Sequence, residues 1–281
     1  MESGLKFVLI RFLSCKPVKY WKHFASCFGC GQRSRYDYKI GWVNRMNQLE
    51  IKRTIQQALE QNDLDAVVSL VQQHKRALSQ LVRTAYDKDT LAGWRAIKAI
   101  GRVAKALVKT DDEFLRVTMR KLLWSLSDES GGIGWAAPEI LGEIVSADPG
   151  KFSDFIPLIA EVYEIEEKVF RPGVIYALMR IAETNPELVL TYQKVIIRSL
   201  VDNDPLTRIF ALDLVRILWP VACQNIQWSK EYQEKIKHVI NTLLNDNKVV
   251  WIYQNNSFID REVGYNADNV LKKLKAEPMK K

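Results

Sequence analysis

From Leu49 onward, apolar residues recur three and four positions apart in one segment after another. That spacing lays a single apolar stripe along a helix. Leu49–Gln61 carries Leu49, Ile51, Ile55, Ala58 and Leu59 near one face, and Asn62-Asp63 interrupts it before Leu64–Gln73. The pattern then predicts helices in pairs: Ala77–Tyr86 with Ala92–Val108, Asp111–Leu126 with Ile133–Ala147, Phe152–Tyr163 with Val169–Glu183, and Glu187–Leu200 with Leu206–Trp219. A further helix is predicted over Glu231–Leu244, and a last one over Asn266–Leu274. Between these two the period changes. Val249–Tyr253 and Ser257–Arg261 are β-prone runs around Asn255-Asn256, and asparagine tolerates the positive φ of a tight hairpin turn.

The second helices of the pairs are copies of one another. Ala96, Ala137, Val174 and Ala211 share a small position, 41, 37 and 37 residues apart. Ile100, Leu141, Leu178 and Val215 share a large apolar one, and so do Val103, Ile144, Ile181 and Leu218. A period of this size marks a stacked repeat in which no unit buries its apolar face alone. Asp148-Pro149, Asn185-Pro186 and Asp204-Pro205 each place a side-chain acceptor before a proline, as helix starts do. Pro138 and Pro172 fall in first turns, whereas Pro157 is expected to bend its helix. The fold class is therefore all-α: a solenoid of stacked antiparallel helix pairs with one small β-hairpin near the C-terminus.

The net charge of +8 points toward nucleic acid until it is divided along the chain. Residues 1–45 carry nine Lys or Arg against Glu2 and Asp37, which leaves the rest of the chain at +1. This basic segment lacks the helical period and is expected to be disordered, or to precede the true start at Met46. The solenoid then covers 46–281, with caps at about 46–75 and 228–281. Cys15, Cys27, Cys30 and His23 offer a zinc site by residue type, but a single CxxC without a second pair does not make one. No metal and no cofactor are expected. Cys223 stands alone in the body, which argues against a disulfide framework and for a reducing, cytoplasmic setting. Lys6–Leu13 is too short to span a membrane, so no membrane partner is expected.

The paired helices, the acid in the turn at Asp87, Asp128 and Asp202, and the Ala, Leu and Gly columns resemble HEAT repeats, armadillo-type α-solenoids that include a bacterial HEAT-like set. The resemblance covers about Ala77–Trp219. It implies a ladder of turn Asp and second-helix Arg along the stack. Asp202 and Arg208 match both positions, Arg171 matches the base alone, and Gly93 and Gly134 stand where the base is absent. It also implies a non-enzymatic binding or scaffold protein whose partner is another protein or a peptide.

Trp94 and Trp135 occupy equivalent positions in successive repeats and are candidates for an aromatic binding platform, with Glu129, Glu139, Arg95 and Arg171 as its polar rim. The competing reading makes both indoles inter-repeat packing. Gly131, Gly132 and Gly134 form a glycine turn that either closes the helix pair or lets a ligand approach the backbone. Catalysis has no constellation behind it, since His23, His74 and His238 lie at no telling distance from a nucleophile or acid. The alternative function is a nucleic-acid-binding or DNA-base-processing protein of the alkylation-repeat kind. It would use Arg95, Lys98, Arg102 and Lys105, which Glu139 and Glu143 interrupt on the next repeat. If the segment before Met46 is dispensable, a chain starting at Met46 will melt at the full-length temperature; a lower melting temperature would show that residues 1–45 pack on the body.

Overall fold

The computed structural model describes residues 46–126, 134–165, 168–224 and 227–276. Cys15, His23, Cys27, Cys30, Glu129, Gly131 and Gly132 lie outside them. Residues 46–276 hold twelve α-helices and one two-stranded sheet among those described. The pairs are α1 (Gln48–Glu60) with α2 (Leu64–Gln73), α3 (Ala77–Ala85) with α4 (Leu91–Leu107), and α5 (Asp112–Leu126) with α6 (Ala137–Val145). They continue with α7 (Ile156–Ile165) and α8 (Arg171–Thr184), then α9 (Gln193–Leu200) and α10 (Pro205–Gln224). The last pair is α11 (Lys230–Thr242) and α12 (Val263–Ala276), with the hairpin β1 (Val249–Gln254) and β2 (Ser257–Glu262) between them.

The second helices stack in order, α2 on α4, α4 on α6, α6 on α8, α8 on α10 and α10 on α12, so the molecule is a solenoid of HEAT-like helix pairs. The repeat columns are the reason. Ala96, Ala137, Val174 and Ala211 are fully buried, as are Leu141, Leu178 and Val215, so the columns form the core of the stack. The starts are encoded locally. Asn47 and Glu50 form a reciprocal capping box on α1, and Asp204 accepts from the Thr207 amide at 2.8 Å ahead of Pro205.

Several boundaries differ from the pattern. α6 starts at Ala137 rather than Ile133, and α9 starts at Gln193 because Pro186–Leu188 closes a separate 3-10 turn. Asn185 makes no side-chain cap there. Pro157 falls in the first turn of α7, where its missing N–H costs nothing, so it bends no helix body. α10 continues past Trp219 and carries Pro220 inside it. The hairpin keeps the predicted turn: Asn255 and Asn256 have φ of 51° and 64°, and β1 pairs antiparallel with β2 from Val249↔Glu262 to Gln254↔Ser257.

The tightest joint is between α6 and α8. All nine residues of α6 are buried, including Glu139 and Glu143. Gly142 meets Ala177 so closely that a Cβ placed on it would stand 2.7 Å from the Ala177 Cβ. Only a glycine lets the two backbones approach in this way. Gly142→Ala is therefore expected to force α6 and α8 apart and to cost about 1–3 kcal/mol; a urea titration that leaves the midpoint unchanged would contradict this packing.

Candidate functional site

Enclosing α6 puts two carboxylates inside the stack, and α4, α8 and the turn before α4 supply their cations. Glu143 Oε1 accepts from Lys98 Nζ on α4 at 2.7 Å, from Tyr176 Oη on α8 at 2.6 Å and from Arg180 Nε on α8 at 2.9 Å. Lys98 Nζ also donates to Tyr176 Oη at 2.6 Å, so α4 and α8 meet across the end of α6. Burial by itself would push the Glu143 carboxyl up, but Lys98 and Arg180 hold it below the ordinary carboxylate range. Burial lowers Lys98, against the pull of Glu143, and raises the Tyr176 phenol well above its usual value, which keeps it a donor.

Glu139 sits one turn earlier, 2 % exposed, with Oε1 on Lys88 Nζ at 2.8 Å. Its Oε2 has no hydrogen-bond partner and lies against Gly173 in the first turn of α8, where a Cβ would be 2.5 Å away. The free amides and dipole of a helix start suit a carboxylate there. Glu139 is therefore not part of an exposed rim.

The same convergence builds an aromatic row. Trp94 of α4 meets the Tyr176 edge at 5.4 Å, and Tyr176 meets Phe210 of α10 at 5.6 Å. The hairpin lies over this row. Tyr253 stacks on Trp94 at 5.7 Å with the rings 4° from parallel, and Ile252 is buried beneath the strand. At its base, Arg261 Nη1 reaches Asp213 of α10 at 2.5 Å. At its tip, Asn256 Oδ1 accepts from Arg95 Nε of α4 at 2.7 Å. Between base and tip runs a groove of about 770 Å³, walled by Tyr176, Arg180, Phe210 and Arg216 on the helices, by Ile259 on β2 and by Tyr265 on α12. Its walls combine apolar groups with charges of both signs.

The sequence candidates thus separate. Trp94 is 7 % exposed and its ring partners are Tyr176 and Tyr253, whereas Trp135 is 45 % exposed at the start of α6. Arg95 is at the hairpin tip, also bonded to the Leu59 and Glu60 carbonyls. Arg171 lies elsewhere, on Asp202 at 3.0 Å and over the Tyr163 ring. Gly134 has its open side against Ser125 of α5, which leaves no room there for a ligand. The ladder runs between repeats: Arg171 reaches Asp202 of the following pair, and Arg208 reaches Asp246 at 2.7 Å. Within its own turn Arg208 bonds only the Asp202 and Asn203 carbonyls. Among the described residues no His, Cys, Asp and Glu cluster is placed to hold a metal, and no helix is long and apolar enough to cross a membrane.

The stacked antiparallel pairs define a helical-repeat protein of the HEAT and armadillo kind in architecture. No family model and no curated relative matches the sequence. Among solved structures, an engineered protein aligns over 82% of this chain and 98% of its own, at 14% identity and a TM-score of 0.49. Computationally designed armadillo repeat proteins for modular peptide recognition align over 80% and 99%, at 15% identity and a TM-score of 0.45. The archaeal HEAT-like repeats protein from Thermococcus onnurineus NA1 aligns over 83% and 98%, at 16% identity and a TM-score of 0.34.

Two outcomes follow from this geometry. Trp94→Ala is expected to cost about 3–5 kcal/mol by emptying a packed ring site, and Trp135→Ala to stay within about 0.5 kcal/mol; similar losses in denaturant titrations would contradict the difference in burial. Glu143 titrates lower in the folded chain than in the unfolded one, so its contribution is complete at neutral pH and is lost as pH falls through the folded value. Glu143→Gln should remove stability at pH 7, toward the lower end of about 3–5 kcal/mol. It should also lose less than the parent on acidification; parallel stability curves from pH 7 to pH 3 would show that the ion cluster is not what titrates.

Proposed function

We propose that the chain is a non-enzymatic binding protein that holds an extended segment of a partner protein, or a peptide, in the groove between the second helices and the hairpin. The observation that carries this reading is the hairpin itself. Strand β1 is an extended polypeptide, and it lies on the face formed by α4, α8 and α10 with a ring stacked at one end and Ile252 buried beneath it. The groove beside it continues that face and offers a second extended chain an apolar floor at Phe210 and opposite charges at Arg216 and Asp260.

The nucleic-acid alternative relies on the basic row of α4, and internal partners engage most of that row. Arg95 is bonded to Leu59, Glu60 and Asn256, Lys98 to Glu143 and Tyr176, and Arg102 to Asp65. Cations neutralised in this way contribute little to phosphate binding and its salt dependence.

Capture of the partner from the native source at high salt, followed by mass spectrometry, tests the reading. Arg216→Glu and Tyr265→Ala change the groove walls at half-exposed and exposed positions, and each is expected to abolish capture with the melting temperature unchanged. Trp135→Ala is expected to leave capture intact. Loss of capture only with Trp135→Ala would move the site to the surface around Trp135, and salt-sensitive retention of DNA without a protein partner would favour the alternative.

A further inference from the structure

The hairpin tip rests on a shelf that α1 and α4 build without it. Arg95 Nη1 donates to the Leu59 and Glu60 carbonyls at the end of α1, at 2.8 and 2.9 Å, which fixes the guanidinium and leaves Nε pointing at the tip. The adjacent Trp94 offers one ring face, and Tyr253 covers it. What occupies the shelf is chemically modest. Asn256 gives Arg95 a neutral amide oxygen, and the same oxygen also accepts from Tyr253 Oη at 3.1 Å. A carboxylate in place of the amide would add the attraction of a full negative charge to the same guanidinium bond. Beside the tip is a second groove of about 350 Å³, lined by Lys98, Arg102, Lys105 and Arg180 against the single acid Glu143.

We propose that the Trp94–Arg95 shelf and this basic groove form a subsite for a partner segment that carries an aromatic residue close to a carboxylate, and that the Tyr253–Asn256 tip occupies the subsite in cis until such a segment displaces it. The proposal deepens the reading of the chain as a peptide-binding protein and rests on it. The mimicry is specific: ring on Trp94, acceptor on Arg95, and an extended backbone leading away over Ile252. An acidic peptide keeps the first two contacts, replaces the amide by a charge and adds attraction to Lys105 at the groove wall. A polyphosphate is the poorer fit, because it has no ring to place on Trp94.

The probe is a labelled synthetic peptide copying residues 249–259, made with and without Asn256→Asp. The N256D peptide is expected to bind the Tyr253→Ala chain, whose own tip is weakened, about tenfold more tightly than it binds the parent. It should also bind about tenfold more tightly than the unsubstituted peptide, the ratio expected when an ion pair replaces a bond with one charged partner. Arg95→Gln and Arg95→Lys should both erase the preference, the second because it keeps the charge but loses the planar fork. In the parent chain, the N256D peptide should speed hydrogen exchange of amides 252–258 without changing α8. Equal affinities for the two peptides would overturn the proposal. So would a preference that survives Arg95→Gln, a single-stranded oligonucleotide that competes better than the peptide, or tip amides that exchange only when α8 does. Natural-partner capture that ignores Arg95→Gln while the peptide results stand would place the failure in the function reading instead.

Discussion

Burying a helix that carries two carboxylates is the constraint from which the rest of the structure follows. A lone buried carboxylate is too costly to keep ionised, so the enclosure of α6 requires cations from the helices on either side. Lys98 and Arg180 meet that need at Glu143, and Lys88 does so at Glu139. Their reach draws α4 and α8 together over α6, and Gly142 lets α6 sit close enough to α8 for this to happen. Trp94, Tyr176 and Phe210 then fall into one row on helices that are not all neighbours in the stack.

That row explains why the C-terminal cap departs from the repeat. A regular helix pair would have left the aromatic face open. Instead the chain between α11 and α12 becomes a hairpin, fastened to α10 through Arg261 and to α4 through Tyr253 and Asn256. The hairpin thereby spans the face of the second helices from α10 to α4. The face therefore carries both a groove and an extended strand of the chain's own, and the functional reading rests on that pairing of groove with extended strand.

The architecture was legible because it is local. The helical period, the 37-residue spacing and the Asn-Asn turn all act within a few turns of the chain. The misplaced boundaries were also local: Pro186 opening a 3-10 turn and α10 passing through Pro220 are choices between near-equal backbone solutions. The site was less legible, because its contacts join residues far apart in sequence. Nothing near Trp94 announces that Tyr253 will cover it. Glu139 and Glu143 look like a solvated face until α6 proves to be enclosed. One signal was available: Glu143 stands in the same repeat position as Arg102 and Arg180, one acid between two bases in a single column of the repeat. The ladder contacts are long-range too, since Arg171 and Arg208 each reach the turn of the next pair.

The claim that most needs measurement is that the hairpin docks on α4 through the stacked pair. A double-mutant cycle on Trp94→Ala and Tyr253→Ala, followed by urea unfolding, measures that contact apart from the cavity each change creates. The structure predicts a coupling of about 0.5–1.5 kcal/mol, as for a stacked aromatic pair. Additive effects, with no coupling between the two positions, would mean that the hairpin does not rest on Trp94, and the proposed binding face would lose its strand.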